Sequence, residues 1–216
     1  MTTSEAPDCS PPENTSGPAS SQLTARAEDA ALVLAIQRGD RTQGRELYQR
    51  LVRVIEVTLT RVVGPGAPEH DDLLQATFEQ VIRTLRDGSF QGRCSLASWA
   101  AAIACRIGLN AIRARRAERA VVDRSVASDE QWATLPGQDL ERTLAARDEL
   151  RRVRLELASM SSGRAEAVLL CDVLGYAMSE VAASTGLSVA AVESRLVRGR
   201  RDLIERIGSW PERSCT

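Results

Sequence analysis

Apolar residues recur along this chain at spacings of three and four, and alternation at period two never persists, so the pattern predicts helices and no strand. From Ala27 to Val63 the helical spacing is carried by Ala31, Leu34, Leu47, Leu51, Val54, Ile55, Val57 and Leu59, and the Gly39 to Gly44 interruption divides the run into two helices. GPGAPEH, Gly64 to His70, is a loop. Asp71 or Asp72 then caps a helix, DDLLQATFEQVIRTLRDG, that ends at Gly88 with Leu74, Phe78, Val81 and Leu85 facing inward. After the loop SFQGRCS, Ser95 caps the long helix LASWAAAIACRIGLNAIRARRAER, alanine-rich first and basic at its end. Val121 to Asp139 holds no sustained period, contains Pro136-Gly137 and leans acidic, which marks a linker. Four further helices follow: Leu140 to Ala158, SSGRAEAVLLCDVLG, AMSEVAAST, and Ser188 to Ile207. The expected fold is all-α, with two small helical domains at 27–120 and 140–208, a linker at 121–139 and terminal tails at 1–26 and 209–216.

The last two helices have the makings of a helix-turn-helix. At 100° per residue, Val189, Val192, Leu196, Gly199 and Leu203 form one stripe, while Ala190, Ala191, Ser194, Val197, Arg198 and Arg201 lie opposite. Two short helices crossing steeply want a glycine in the turn and a small residue at the crossing, and Gly186 and Ala182 supply them. Val181, Leu187 and Val192 close the small core beneath, and Ser188 caps the second helix. The apolar side anchors the element and the polar side is left to enter a major groove. Four arginines from position 195 to 201 suit that groove's phosphates, because a cation cluster on DNA releases counterions.

Net charge alone, −1, hides an uneven distribution. Arg106 to Arg119 holds five arginines and one acid, whereas Ser125 to Glu149 holds six acids and two arginines. The arginines near the end of the long helix also favour its dipole, which accounts for part of that charge without any ligand. All 28 basic residues are arginine, a bias that GC-rich codon usage explains. Five cysteines, Cys9, Cys94, Cys105, Cys171 and Cys215, form no CxxC pair and fit a reducing compartment. A single histidine, His70, leaves little material for a zinc site or a Ser/His/Asp triad, and no phosphate loop or nucleophile–base arrangement is present. Neither an enzyme nor a cofactor-binding protein is expected. The N-terminal segment lacks the basic and apolar regions of a signal peptide. The longest apolar stretch, Leu96 to Leu109, is short and contains Arg106, so membrane insertion is not expected and the cytoplasm is the expected location.

Three blocks of the chain resemble the bacterial RNA polymerase sigma factors. LLCDVLGYAMSEVAASTGLSVAAVESRLVRGRRDL, Leu169 to Leu203, is similar to region 4, with its helix-turn-helix and S-R-L-x-R-x-R run. DDLLQATFEQVIRTL resembles region 2.2, the family's D-L-x-Q-x-T-F falling on Asp72, Leu73, Gln75, Thr77 and Phe78. FQGRCSLASWAAAIACRIGLN resembles regions 2.3 and 2.4, Trp99 included. The blocks stand in the family's order, and the short linker without a region 3 domain is similar to the extracytoplasmic-function (ECF) class.

That resemblance implies a factor that lends promoter recognition to core RNA polymerase and performs no chemistry itself. It implies contact of the region 2.2 helix with the beta-prime clamp through Asp72, Gln75, Glu79 and Gln80, and of region 4 with the beta flap. For the minus 10 element it implies a base extracted into a pocket, with Arg93, Arg106, Arg113, Arg115 and Arg116 holding phosphates and Ser95 and Asn110 reaching base edges. Trp99 shares an apolar stripe with Ile103, which favours core packing over base stacking. For the minus 35 element it implies Ala190, Ala191, Glu193, Ser194, Arg195 and Arg198. An anti-sigma partner is typical of the class. The chain departs from the class pattern at Arg106 and Asn110, where asparagine and then aspartate are usual, and at Glu193, where lysine is common. A carboxylate accepts from cytosine N4, so Glu193 points to altered sequence preference. The linker either threads the polymerase's RNA exit path or simply connects. The rival reading is a stand-alone dimeric helix-turn-helix regulator with a symmetric operator.

Overall fold

The computed structural model describes residues 18–122 and 140–208. Its regular elements are helical: α1 Pro18–Gln37, α2 Gly44–Val63, α3 His70–Arg86, α4 Leu96–Val122, α5 Leu140–Ser159, α6 Ser162–Val168, α7 Met178–Thr185 and α8 Val189–Ile207. Arg41–Gln43 makes a 3-10 turn before α2, and Leu169–Val173 a π turn after α6. Helix α1 begins inside the stretch read as an N-terminal tail, and α4 runs to the first residues of the expected linker. Residues 1–17, linker residues 123–139 and the C-terminal tail 209–216 lie outside the described residues. Among the described residues no helix is long and apolar enough to cross a membrane.

The first three crossings follow from apolar spacing. On α2, Leu47, Leu51, Ile55 and Leu59 recur every fourth residue and are at most 1% exposed, each burial contributing roughly 1.5–3 kcal/mol. They meet Leu32, Val33 and Ile36 of α1, Val81 and Leu85 of α3, and Leu96, Ala100 and Ala104 of α4. The stripe expected on α3 is buried only in part, with Thr77, Val81 and Leu85 enclosed and Leu74 and Phe78 half-buried. Alanines on α4 let it approach α2 closely, and Gly108 marks the tightest point: a Cβ there would lie 2.8 Å from Val62 Cγ1.

Caps divide into those the sequence announced and one it misplaced. Ser95 does cap α4, its Oγ accepting from the Ser98 amide at 3.0 Å, and Asp29 of α1 adds a second acceptor for the Leu96 amide at 2.9 Å. Asp71 and Asp72 do not cap α3. The turn through Ala67 and Glu69 runs straight into that helix, so its cap position is Glu69, without a side-chain bond. Both aspartates sit in the first turn, where the positive end of the helix dipole still favours them.

The second half of the chain builds its own cluster. Val168, Leu169, Leu170, Val181, Val192, Leu196 and Leu203 are buried together. Gly186 takes φ 72° between α7 and α8, a conformation natural to glycine, and Ser188 caps α8 by accepting from the Ala191 amide at 3.2 Å. Gly199 lets α8 lie against α6, since a Cβ there would stand 2.7 Å from Val168 Cγ2 and 3.1 Å from the Arg164 carbonyl oxygen. The segment SSGRAEAVLLCDVLG, read as one helix, changes pitch: the Leu174 amide donates to Leu169 O at 2.9 Å, an i→i+5 bond, and Gly175 ends the turn at φ 80°.

This cluster does not stop at the second half. It includes Cys105, Leu109 and Ile112 of α4 and Val62 and Val63 of α2. Helix α4 therefore serves both halves, giving one end to the first core and its middle to the second.

Candidate nucleic-acid interface

Helix α8 presents what a groove-reading helix needs. Ala190, Glu193 and Arg198 are exposed, and Ala191, Ser194 and Arg195 are half-buried along the same flank. Opposite them Val192, Leu196, Gly199 and Leu203 are enclosed. Val189 departs from the expected stripe, at 47% exposure: its direction is right, but burial begins only at Val192, one turn further in. Among the neighbouring arginines, Arg200 binds Asp172, with Nε 2.9 Å from Oδ2, and Arg164 of α6 binds Asp202 at 2.5 Å. Those pairs brace α8 against the π turn and α6. The guanidinium of Arg195 reaches over Gly163 at the start of α6.

On α3, Asp72, Gln75 and Glu79 are exposed and Gln80 is half-buried. The Gln75 amide donates to Glu79 at 2.9 Å, one turn along, so the polar side of the helix is pre-arranged rather than splayed. Tyr48 of α2 packs on Phe78 of α3, ring centroids 4.9 Å apart.

The arginines of α4 meet acceptors elsewhere in the chain. Arg93 is exposed on the loop before the helix and Arg106 on the helix itself. Arg106 is bound by Glu166 of α6 at 2.9 Å, a carboxylate whose side chain is only 10% exposed. Arg113 donates from Nε to the Ala158 carbonyl at 2.9 Å and from Nη2 to the Met160 carbonyl at 3.2 Å. Those are the orphan acceptors at the C-terminus of α5, where a cation also meets the negative end of the helix dipole. Arg116 donates to the Leu155 carbonyl at 3.4 Å, and Arg115 pairs with Glu69 at 2.7 Å. Asn110 is exposed and accepts from Arg113 at 3.2 Å. The Ser95 hydroxyl is committed to its cap and to Ser98, 2.7 Å away. Trp99 is 8% exposed and packs on Phe90 with ring centroids 5.2 Å apart, so it serves the core.

Residues read as belonging to two different surfaces share one cleft of about 540 Å³ between α3, α4 and α7. Glu79 and Gln80 line it on one side, Arg106 and Asn110 on another, and Ser184 of α7 closes it. Sequence reasoning missed Glu166, Glu180, Arg61 and Arg154. Glu166 carried a signal, a lone acid at a position flanked by Ala165, Ala167 and Val168, all buried. Arg61 donates to the Val173 carbonyl at 2.9 Å and Arg154 to the Arg61 carbonyl at 3.3 Å, contacts that only the folded chain creates.

Burial pushes the Cys94, Cys105 and Cys171 thiols up from their ordinary value, with Glu166 adding to the effect at Cys105 and Asp172 at Cys171. All three are free cysteines. Among the described residues no group of His, Cys, Asp and Glu is placed to hold a metal ion.

Comparison with known proteins places this geometry. Residues 150–203 match the family model Sigma-70, region 4. Over 186 residues the chain is 33% identical to the RNA polymerase sigma factor CnrH of Cupriavidus metallidurans, covering 82% of this chain and 93% of that one. It is 30% identical over 142 residues to the ECF RNA polymerase sigma factor SigE of Mycolicibacterium smegmatis, covering 62% of this chain and 51% of the relative. A solved structure of CnrH in complex with the cytosolic domain of CnrY is similar over 82% of this chain and 95% of that one, with 28% identity and a TM-score of 0.48. Relatives that match over nearly their full length are sigma factors, which leaves the stand-alone regulator without support. The chain belongs to the RNA polymerase sigma factors of the extracytoplasmic-function class.

Proposed function

We propose that this sigma factor divides promoter recognition between α4 and α8, with α3 given to the polymerase. Core RNA polymerase holds the two helical units at fixed spacing, so that two weak contacts act together through effective concentration. On α8, Ala190, Ala191, Glu193, Ser194, Arg195 and Arg198 read the minus 35 element, one bidentate base contact being worth about 1–3 kcal/mol. On and before α4, Arg93, Arg106, Arg113, Arg115 and Arg116 hold the phosphates of the opened minus 10 strand, with Ser95 and Asn110 nearest its bases. Asp72, Gln75, Glu79 and Gln80 meet the beta-prime clamp, and the C-terminal unit meets the beta flap. The factor works in the cytoplasm, carries out no catalysis and is held in check by an anti-sigma partner.

The observation that carries this reading is the division of α8, whose flank has Ala190, Glu193 and Arg198 exposed and Ala191, Ser194 and Arg195 half-buried while Val192, Leu196 and Leu203 are enclosed. In vitro transcription with core polymerase tests it, with start sites sequenced. Wild-type protein initiates from promoters sharing two spaced elements. Arg198→Ala and Ser194→Ala weaken use of the upstream element and leave capture of core enzyme intact. If both substitutions abolish that capture, the division of labour is wrong.

A further inference from the structure

None of the residues assigned to promoter or polymerase lies on α1, yet one side of that helix touches both ends of the loop 87–95 that joins α3 to α4. Asp29 accepts from the amide of Leu96, the first residue of α4, at 2.9 Å. Gln37 donates from Nε2 to the carbonyl of Leu85, in the last turn of α3, at 3.2 Å. Those two side chains stand two turns apart, about 12 Å along one face of α1. Between them Leu32, Val33 and Ile36 are buried in the first core, so the helix that carries the two contacts is itself anchored.

The loop is also pinned inside its ends. Phe90 packs on Trp99 and is buried, as is Cys94, whereas Gln91, Gly92 and Arg93 between them are exposed. Two buried anchors thus raise a short crest, and Arg93 on it is the loop's guanidinium for the minus 10 strand. How the crest stands depends on where α3 stops and α4 starts. The Leu96 amide is among the donors that α4 leaves without an intrahelical partner, and the Ser95 hydroxyl serves the Ser98 amide instead. Asp29 therefore fixes the start of α4 from outside the helix, where its carboxylate also meets the positive end of the helix dipole. Its other oxygen pairs with Arg50 of α2 at 3.2 Å, and Glu28 takes the same guanidinium. With its side chain only 13% exposed, Asp29 is turned to the fold and away from solvent.

We infer that α1 is a splint for the minus 10 loop, with Asp29 and Gln37 as positioning residues that hold the crest Gln91–Arg93 where the opened strand needs it. This rests on the assignment of Arg93 and the start of α4 to the minus 10 strand. Burial of Leu32, Val33 and Ile36 attaches α1 to the core but has no direction, whereas the two polar contacts fix particular backbone atoms. A contact group must stay within about 0.5 Å of its place to keep its effect, and a loop ordered beforehand loses less freedom when the strand arrives.

Holoenzyme assembled with the full-length protein tests the splint. The probe is a single-stranded oligonucleotide carrying the minus 10 region of the strongest promoter mapped for wild-type holoenzyme, with core capture and the response to minus 35 substitutions measured alongside. Asp29→Ala is expected to weaken strand binding about tenfold and to leave the other two readouts as in wild type. Asp29→Asn keeps an acceptor for the Leu96 amide and gives up the charge on Arg50, so binding is expected within about threefold of wild type. Unchanged binding in the alanine variant overturns the inference. So does an asparagine variant as weak as the alanine one, because the pair with Arg50 would then be what matters. Should Asp29→Ala fail to fold, Gln37→Ala decides: it must weaken strand binding about threefold with core capture intact, and no change overturns the splint. Arg93→Ala tells the two failures apart. Strand binding unaltered by Arg93→Ala sinks the minus 10 assignment of the loop and the splint with it, whereas a loss confined to Arg93→Ala sinks the splint alone.

Discussion

Helices α4 and α8 are both rich in arginine, and while Arg200 of α8 also binds within the fold, to Asp172, its Arg198 is left exposed. On α4, Arg106, Arg113 and Arg116 turn to acceptors on α5 and α6, while on α8 Arg198 is exposed beside Glu193 and Ala190. The difference lies in the neighbours. Helix α4 runs beside the C-terminus of α5, whose last carbonyls have no partner within their own helix and recruit a cation. Helix α8 lies against α6 through Gly199 and buried leucines, which leaves Ala190, Glu193 and Arg198 of its outer flank exposed. Charge on a helix thus says little about its partner until the acceptors around it are known.

The largest expected effect tests whether the open flank of α8 depends on its closed one. Leu203 is 0% exposed, and Leu203→Ala removes its contacts with the cluster that also holds Val168 and Leu196. A cost of about 2–5 kcal/mol is expected, read as a fall in the midpoint of urea unfolding, together with loss of minus 35 recognition. If recognition survives that loss of stability, the helix-turn-helix does not need its core to hold its shape.

Next in size is the contrast between the two sets of arginines themselves. Arg113→Ala strands the carbonyls of Ala158 and Met160 at a partly buried site and should cost about 1–3 kcal/mol of stability. Arg198→Ala, on the exposed flank, should change stability by less than about 0.5 kcal/mol. Equal unfolding midpoints for the two variants would erase the distinction between an arginine that builds the fold and one left exposed on its surface.

Why this distinction was invisible in the sequence is a matter of range. Helix positions, the glycine turn at Gly186 and the caps at Ser95 and Ser188 depend on residues a few places apart, and those were legible. The buried stripe of α8 was legible too, apart from Val189, whose exposure depends on where its neighbours stop. Asp71 and Asp72 misled because the cap depends on how the preceding turn joins the helix, and Glu69 took the position. Nothing local says that Arg106 finds a carboxylate 60 residues later, or that Arg113 finds the end of another helix 45 residues on. RAEAVLL held the one hint, an acid inside an apolar run.

A smaller effect separates the two serine caps. Ser188 alone supplies a side-chain acceptor at the start of α8, whereas at α4 Ser95 is joined by Asp29. Ser188→Ala should therefore cost about 1 kcal/mol, while Ser95→Ala costs less because the Leu96 amide keeps its carboxylate. Hydrogen exchange at the Ala191 and Leu96 amides reads the two helix starts separately. Faster exchange at Leu96 than at Ala191 would show that Asp29 gives no such support.

The smallest effect concerns how firmly the chain holds Arg195, the α8 arginine that also touches α6. A Cβ on Gly163 would stand 2.7 Å from Arg195 Nη1, the free end of a flexible side chain, whereas at Gly199 the obstacle includes the Arg164 backbone oxygen at 3.1 Å. Gly163→Ala should therefore swing the guanidinium aside and gain helix propensity of up to about 1 kcal/mol, leaving net stability within about 0.5 kcal/mol of wild type. Gly199→Ala gains the same propensity but must push α8 away from α6, at an overpacking cost of about 1–3 kcal/mol. Thermal melting ranks the pair. A loss at Gly163 as large as at Gly199 would mean that Arg195 is clamped like Arg113 and belongs to the fold, which would move it from the open set of arginines to the closed one.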